Sequence, residues 1–181
     1  VRVLPREDPS VDLLIHGTLI NSDGITLNLQ IRATDSTGHE WLNKVYSDTA
    51  GDQDYPEFIL STHNNLIAPN SADPFQDIYE QIANDLLMVR AGLTAEGLVN
   101  ISRVSQMLYA SDLSPETFTD FLQQEPDGTL SVSRLAASND PMLSRVAEMR
   151  FRHHLFIDTV DGYYSALHEE MKSIYDLWRL Y

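Results

Sequence analysis

Six residues on one late stretch of the chain carry the side chains best suited to chemistry: His153, His154, Asp158, Asp161, His168 and Glu169. If that stretch is helical, His154, Asp158 and Asp161 stand at i, i+4 and i+7 and share a face, where an imidazole and two carboxylates can converge on a metal ion. His168 follows two turns beyond Asp161. The spacing matches no zinc signature, because His168-Glu169 lacks the second histidine of a metalloprotease helix. One face of one helix also supplies few ligands without a second element beside it. A solvated face, its Asp and His side chains held by hydrogen bonds, accounts for the same residues. Tyr163, Tyr164, Tyr175 and Trp178, with Tyr181, are the candidates for a groove that takes a ligand or partner, although a tyrosine-rich stripe serves a core or a dimer interface equally well.

Other chemistries find no residues to carry them. Acyl transfer needs a serine on a strained turn beside a histidine and a carboxylate, and no Gly-x-Ser-x-Gly occurs. Asp52 and Asp54 lie almost side by side in sequence, and Glu169 and Glu170 do so on a helix, where neighbours point apart; neither pair makes a glycosidase site. Gly24, Gly38 and Gly51 are turn glycines, not a phosphate loop. No catalytic residue and no cofactor is therefore expected.

The elements that must position these groups fall into two kinds. From residue 11 to 47 the period is two. Ile25, Leu27, Leu29, Ile31 and Ala33 alternate with Thr26, Asn28, Gln30, Arg32 and Thr34, the pattern of a strand with one wet side. Turns at Asn21 to Gly24 and Asp35 to Gly38 flank it, since glycine supplies the positive φ of a tight reversal. The result is a three-stranded antiparallel meander. Its first strand, 11–20, is apolar on both faces and is expected inside the sheet, with Gly17 marking a bulge or a close approach. His16 on that strand reads as a packed or hydrogen-bonded histidine. Residues 48–72 form one long polar connection around the apolar island Phe58, Ile59 and Leu60.

From Asp73 the period changes to 3.6. Asp73-Pro74, with Gln76 at capping-box spacing, opens a helix that Gly92 ends. Thr94 opens a second helix to about Ala110, and Ser114-Pro115 a short third. A turn over Glu125 to Thr129 leads to another short helix at Leu130 to Ala137. Asp140-Pro141 starts the last helix, whose apolar residues keep spacings of three and four for up to 40 residues, about 60 Å of unbroken helix. Gly162 is its expected kink. The fold class is thus α+β: a meander in 1–72 followed by a helical part of four to five helices in 73–181.

Composition bounds the function. With 181 residues, 43% of them apolar and 22% charged, the chain has enough material for a real core. The net charge of -15 leaves no basic footprint, which argues against nucleic acid and anionic lipid as partners. There is no cysteine, so disulfides, thiolate metal sites and cysteine nucleophiles are excluded. No apolar run approaches the roughly 20 residues that span a bilayer. The chain starts at Val1 without a methionine and reads as a mature or trimmed form, a reading that leaves room for a removed targeting segment.

The sheet carries a resemblance. The strand Asp12-Leu-Leu-Ile-His-Gly-Thr-Leu19, the Ser22-Asp-Gly24 turn, the alternating strand ending in Ala33-Thr-Asp-Ser-Thr-Gly38 and the strand with Trp41 and Tyr46 resemble the small α/β domain of bacterial envelope proteins. That group includes the TolB amino-terminal domain, the curli-secretion and flagellar outer-membrane lipoproteins, and the lipoprotein activators of peptidoglycan synthases. The similarity covers residues 11–48. The first helix and strand typical of those domains are reduced here to Val1–Leu4. The resemblance implies a periplasmic or outer-membrane-associated, non-catalytic protein that binds another protein or a peptidoglycan-related component. Two other readings stand beside it: a metal-dependent hydrolase using the His/Asp face of the last helix, and a structural homodimer built on that helix.

Overall fold

A computed structural model describes residues 2–51, 59–60, 66–67, 73–137 and 139–178. Strands β1 (Leu13–Ser22), β2 (Thr26–Asp35) and β3 (Glu40–Thr49) form an antiparallel sheet in the order β1-β2-β3. Short strands β4 (Ile59–Leu60) and β5 (Leu66–Ile67) pair with each other; the rest of the polar connection expected at 48–72, with Phe58, lies mainly outside the described residues. Helices α1 (Gln76–Gly92), α2 (Ala95–Leu113) and α3 (Pro115–Phe118) follow. A hairpin of β6 (Leu122–Gln124) and β7 (Leu130–Val132) then leads to α4 (Pro141–Trp178), 38 residues long. The fold is α+β, with four α-helices among the described residues, the last of them the longest.

The middle strand behaves as its alternation requires. Leu27, Ile31 and Ala33 are buried and Leu29 partly so. Ile25, expected on the same dry face, is 60% exposed because it precedes β2, at the open end of the sheet. The first strand corrects its expectation: β1 is an edge, not an interior strand. Two successive tight reversals leave the first strand with one neighbour, whatever its hydrophobicity. Its bulge also falls at Ile20, where the β1–β2 register shifts, and not at Gly17. A Cβ on Gly17 would meet Ile31 Cδ1 at 3.5 Å, an ordinary contact.

The change of period at Asp73 does not divide the core. Leu27, Ile31 and Tyr46 from the sheet pack with Phe75, Ile78 and Ile82 of the α1 region. Tyr46 Oη donates to Asp85 Oδ2 at 2.7 Å, and Lys44 Nζ reaches the same oxygen at 2.8 Å, so β3 and α1 are also tied by polar groups. A second core joins Met107 and Ala110 of α2, Phe118 of α3 and Val146 of α4. The hairpin lies where a short helix was expected at Leu130 to Ala137. Glu125 N and Thr129 O bond at 2.8 Å across the turn, and Gly128 takes φ 88°, a reversal that commits Leu130 to a ladder with Gln124. Helix α4 runs through Gly162 without a break. Its start is capped by Asp140 Oδ1, which accepts from Met142 N at 2.7 Å.

One turn holds these parts together. At Asp35–Gly38 the backbone reverses with Gly38 at φ 88°. The buried Asp35 carboxylate accepts from Thr37 N (2.9 Å), Thr37 Oγ1 (2.6 Å), His39 N (3.2 Å) and Trp41 Nε1 (2.7 Å). Trp41 reaches it because the β2–β3 register slips at that residue. Ser36 Oγ donates to the Ile101 carbonyl in α2 at 2.5 Å, and the Thr37 carbonyl accepts from Leu130 N of β7 at 2.8 Å. Asp35→Ala removes an acceptor from four donors and is expected to cost about 3 kcal/mol, since bonds to a charged group contribute roughly 1.5–3 kcal/mol each and not additively. Urea unfolding of the variant checks this; a loss under about 1 kcal/mol would show that the turn holds without its carboxylate.

Candidate functional site

On α4 the carboxylates of Asp158 and Asp161 receive the chain's own N-terminal segment. Asp158 forms an ion pair with Arg2, and Asp161 Oδ1 accepts from Val3 N at 2.9 Å. The arm then runs to Ser10, whose carbonyl accepts from Ser105 Oγ at 2.6 Å and from Arg150 Nη2 at 3.0 Å. Arg150 Nη2 also reaches Ser105 Oγ at 2.5 Å, and its guanidinium lies 5.7 Å from the Tyr109 ring centroid. Tyr109 stacks on His153 at 5.9 Å. Carboxylates that could have served a metal thus hold a cation and a backbone amide. Among the described residues no group of three or more His, Asp or Glu side chains is placed to hold a metal ion.

Electrostatics follow from this packing. The hydrogen bond from Arg2 lowers the Asp158 pKa. His154 is half-buried, and desolvation lowers its pKa; the positive charge of Arg150 and Arg2 and the proximity of His153 add to the effect, against the opposing pull of Asp158. It is therefore set to be neutral at pH 7. His168 is brought to a different place. With Val3, Asp161, Tyr164, Ser165 and Glu169 it lines an open groove of about 540 Å³ between the arm and α4. His16, on β1, bonds through Nδ1 to Glu7 at 2.8 Å at the surface.

The aromatic candidates are only partly gathered. Tyr164 faces the groove, whereas Tyr163, about 100° round the helix from it, is 72% exposed. Tyr175 and Trp178 stand together at 5.8 Å between centroids, nearer the C-terminal end of α4; Tyr181 lies outside the described residues. The buried face of α4 is Val146, Arg150, His153 and Ile157. The apolar stripe read from the sequence shares only Val146 and His153 with that face, and its Met149 and Phe156 are exposed.

Two further surfaces emerge. Leu19 is 60% and Ile20 56% exposed at the sheet edge. The second is the uncovered stripe of α4. No helix among the described residues is long and apolar enough to cross a membrane.

Two measurements test this site. A His with a lowered pKa is protonated more readily in the unfolded chain, so stability increases with pH between its folded pKa and 6.5 and declines when acid forces it to charge. His154→Gln is expected to flatten the stability profile just below pH 6.5, a window above that of the lowered carboxylates; an unchanged slope in urea titrations would contradict the burial argument. Asp158→Ala is expected to speed amide exchange over residues 3–10, with protection of β2 unchanged. Compared with known proteins, the chain matches no family model, no curated protein and no solved structure.

Proposed function

We propose that this chain is a non-enzymatic bacterial envelope protein, periplasmic or outer-membrane-associated, that works by binding another protein or a cell-wall component. The resemblance of residues 11–48 supports the compartment. The observation that carries the binding role is the edge strand β1: among the described residues it pairs with β2 alone and bears the exposed apolar side chains Ile15, Leu19 and Ile20. Such an edge offers main-chain donors and acceptors to an incoming strand and apolar contacts to its alternate side chains. That chemistry favours a protein segment in extended conformation over a glycan. The groove beside Tyr164 and His168 is open and shallow by comparison, and Asp161 on its wall is engaged with the arm.

The test uses the full-length gene product in its native host. Fractionation is expected to recover it with the envelope. A photo-crosslinker at Ile20 is expected to capture an envelope protein, and Thr18→Pro, which disturbs β1 while sparing β2 and β3, should abolish that product. Recovery in the cytosol would overturn the compartment; efficient crosslinking that ignores the proline would overturn the edge as the binding element.

A further inference from the structure

Helix α4 carries a stripe of large apolar side chains that no element among the described residues covers. Met149, Phe156, Tyr163, Leu167, Met171, Ile174 and Trp178 are between 49% and 72% exposed. They follow one another at intervals of three, four and seven residues, so they lie on one side of the helix with the half-buried Val160 among them. At on the order of 100 Å² of exposed area each, they offer roughly 700 Å². A standard interface takes about 800 Å² from each partner. Isolated apolar patches of this size on a soluble surface mark association sites.

We propose that the occupant is a second copy of this chain, with the two α4 helices packed antiparallel about a two-fold axis near residues 161–162. The charges choose the occupant and the direction. With Arg150, Asp158 and Asp161 engaged within the chain, the first half of α4 still carries Arg145 and Arg152 against Glu148, and the second half Glu169, Glu170 and Asp176 against Lys172, so the balance passes from positive to negative and the helix is complementary to its own reverse. Register follows from the stripe. With Phe156 opposite the partner's Leu167, Met149 meets the partner's Ile174 and Val160 meets the partner's Tyr163. The same alignment brings Arg152 within one residue of the partner's Glu170, twice by symmetry. Both lie on the same flank of the stripe, and in an antiparallel pair like flanks meet. In a parallel pair Arg152 would face the other flank, where Ile157 and Tyr164 stand. Arg152 now holds Glu148 at 2.5 Å in an exposed i, i+4 pair, which places its head on the required side. The net charge of -15 on each copy opposes association, but at physiological salt it is screened over about 8 Å. Isologous pairing of this kind closes at two copies.

Sedimentation of the 181-residue chain at micromolar concentration and physiological salt is expected to show a dimer. Arg152→Glu and Glu170→Arg are each expected to weaken it about tenfold, because attraction becomes repulsion at two symmetric sites. The two together should restore it, and thermal unfolding monitors the fold of every variant. Orientation is read separately, which is simple in a chain without cysteine. On oxidation, a mixture of Phe156→Cys and Leu167→Cys proteins should form a mixed crosslink, with little crosslinking in either protein alone. A monomer at about 100 µM, failure of the double swap to restore the dimer, or crosslinking of each cysteine variant to itself would overturn the proposal, the first outcome leaving the stripe to a different protein.

Discussion

The fold depends on one buried carboxylate. Asp35 sits at the end of the middle strand and gathers the amides of Thr37 and His39, the Thr37 hydroxyl and the Trp41 indole. A lone ionised carboxylate is costly to bury, so the four donors and the burial have to occur together. The turn they fix is then rigid enough to present Ser36 Oγ to α2 and the Thr37 carbonyl to β7. Sheet, second helix and hairpin thereby take their relative positions from four residues. The two apolar cores fill in on either side of this junction, one under α1 and one around Phe118.

Where polar groups and apolar packing act together the molecule is closed, and where one of them is missing it is open. Over β2 and β3 the sheet has both: α1 covers Leu27, Ile31 and Tyr46, and Asp85 joins Tyr46 and Lys44. On the outer side of β1, among the described residues, there is neither a second strand nor a helix that buries Leu19 and Ile20. Along α4 the same contrast appears lengthwise. Its first half packs on α2 and the arm through Val146, Arg150 and Ile157, while its second half keeps an apolar stripe toward solvent.

Much of the architecture was legible because local rules dictated it. The alternation from Ile25 to Thr34 and the two glycine turns located the meander, and the caps at Thr94 and Asp140 located two helices. Non-local facts were not legible. Strand hydrophobicity put β1 inside the sheet, but edge position depends on what pairs with it from elsewhere. Leu130 to Val132 is too short to show a period, and only the reversal at Gly128 decides that it extends. On α4 the sequence located the candidate histidines and aspartates on a shared face, but the partners of Asp158 and Asp161 are Arg2 and Val3, more than 150 residues away in the chain. The Ser105–Arg150 junction left no signal at all: a serine and an arginine among many became partners only through folding.

That docking of Arg2 and Val3 on α4 has a consequence for how the molecule comes into being. The contacts join positions 156 and 158 residues apart. On a ribosome adding roughly 5–20 residues per second, the segment at the start waits about ten seconds or more before its receptor is made. Closing so distant a pair waits on the contacts that first bring α4 to the sheet, Ser36 on the Ile101 carbonyl of α2 and Val146 of α4 against Met107. The arm is therefore the last piece to settle, and until it does Ser105 and Arg150 lack the Ser10 carbonyl they share. Nascent chains of this protein pass through a stage in which the sheet is complete and the seat on α4 is still vacant.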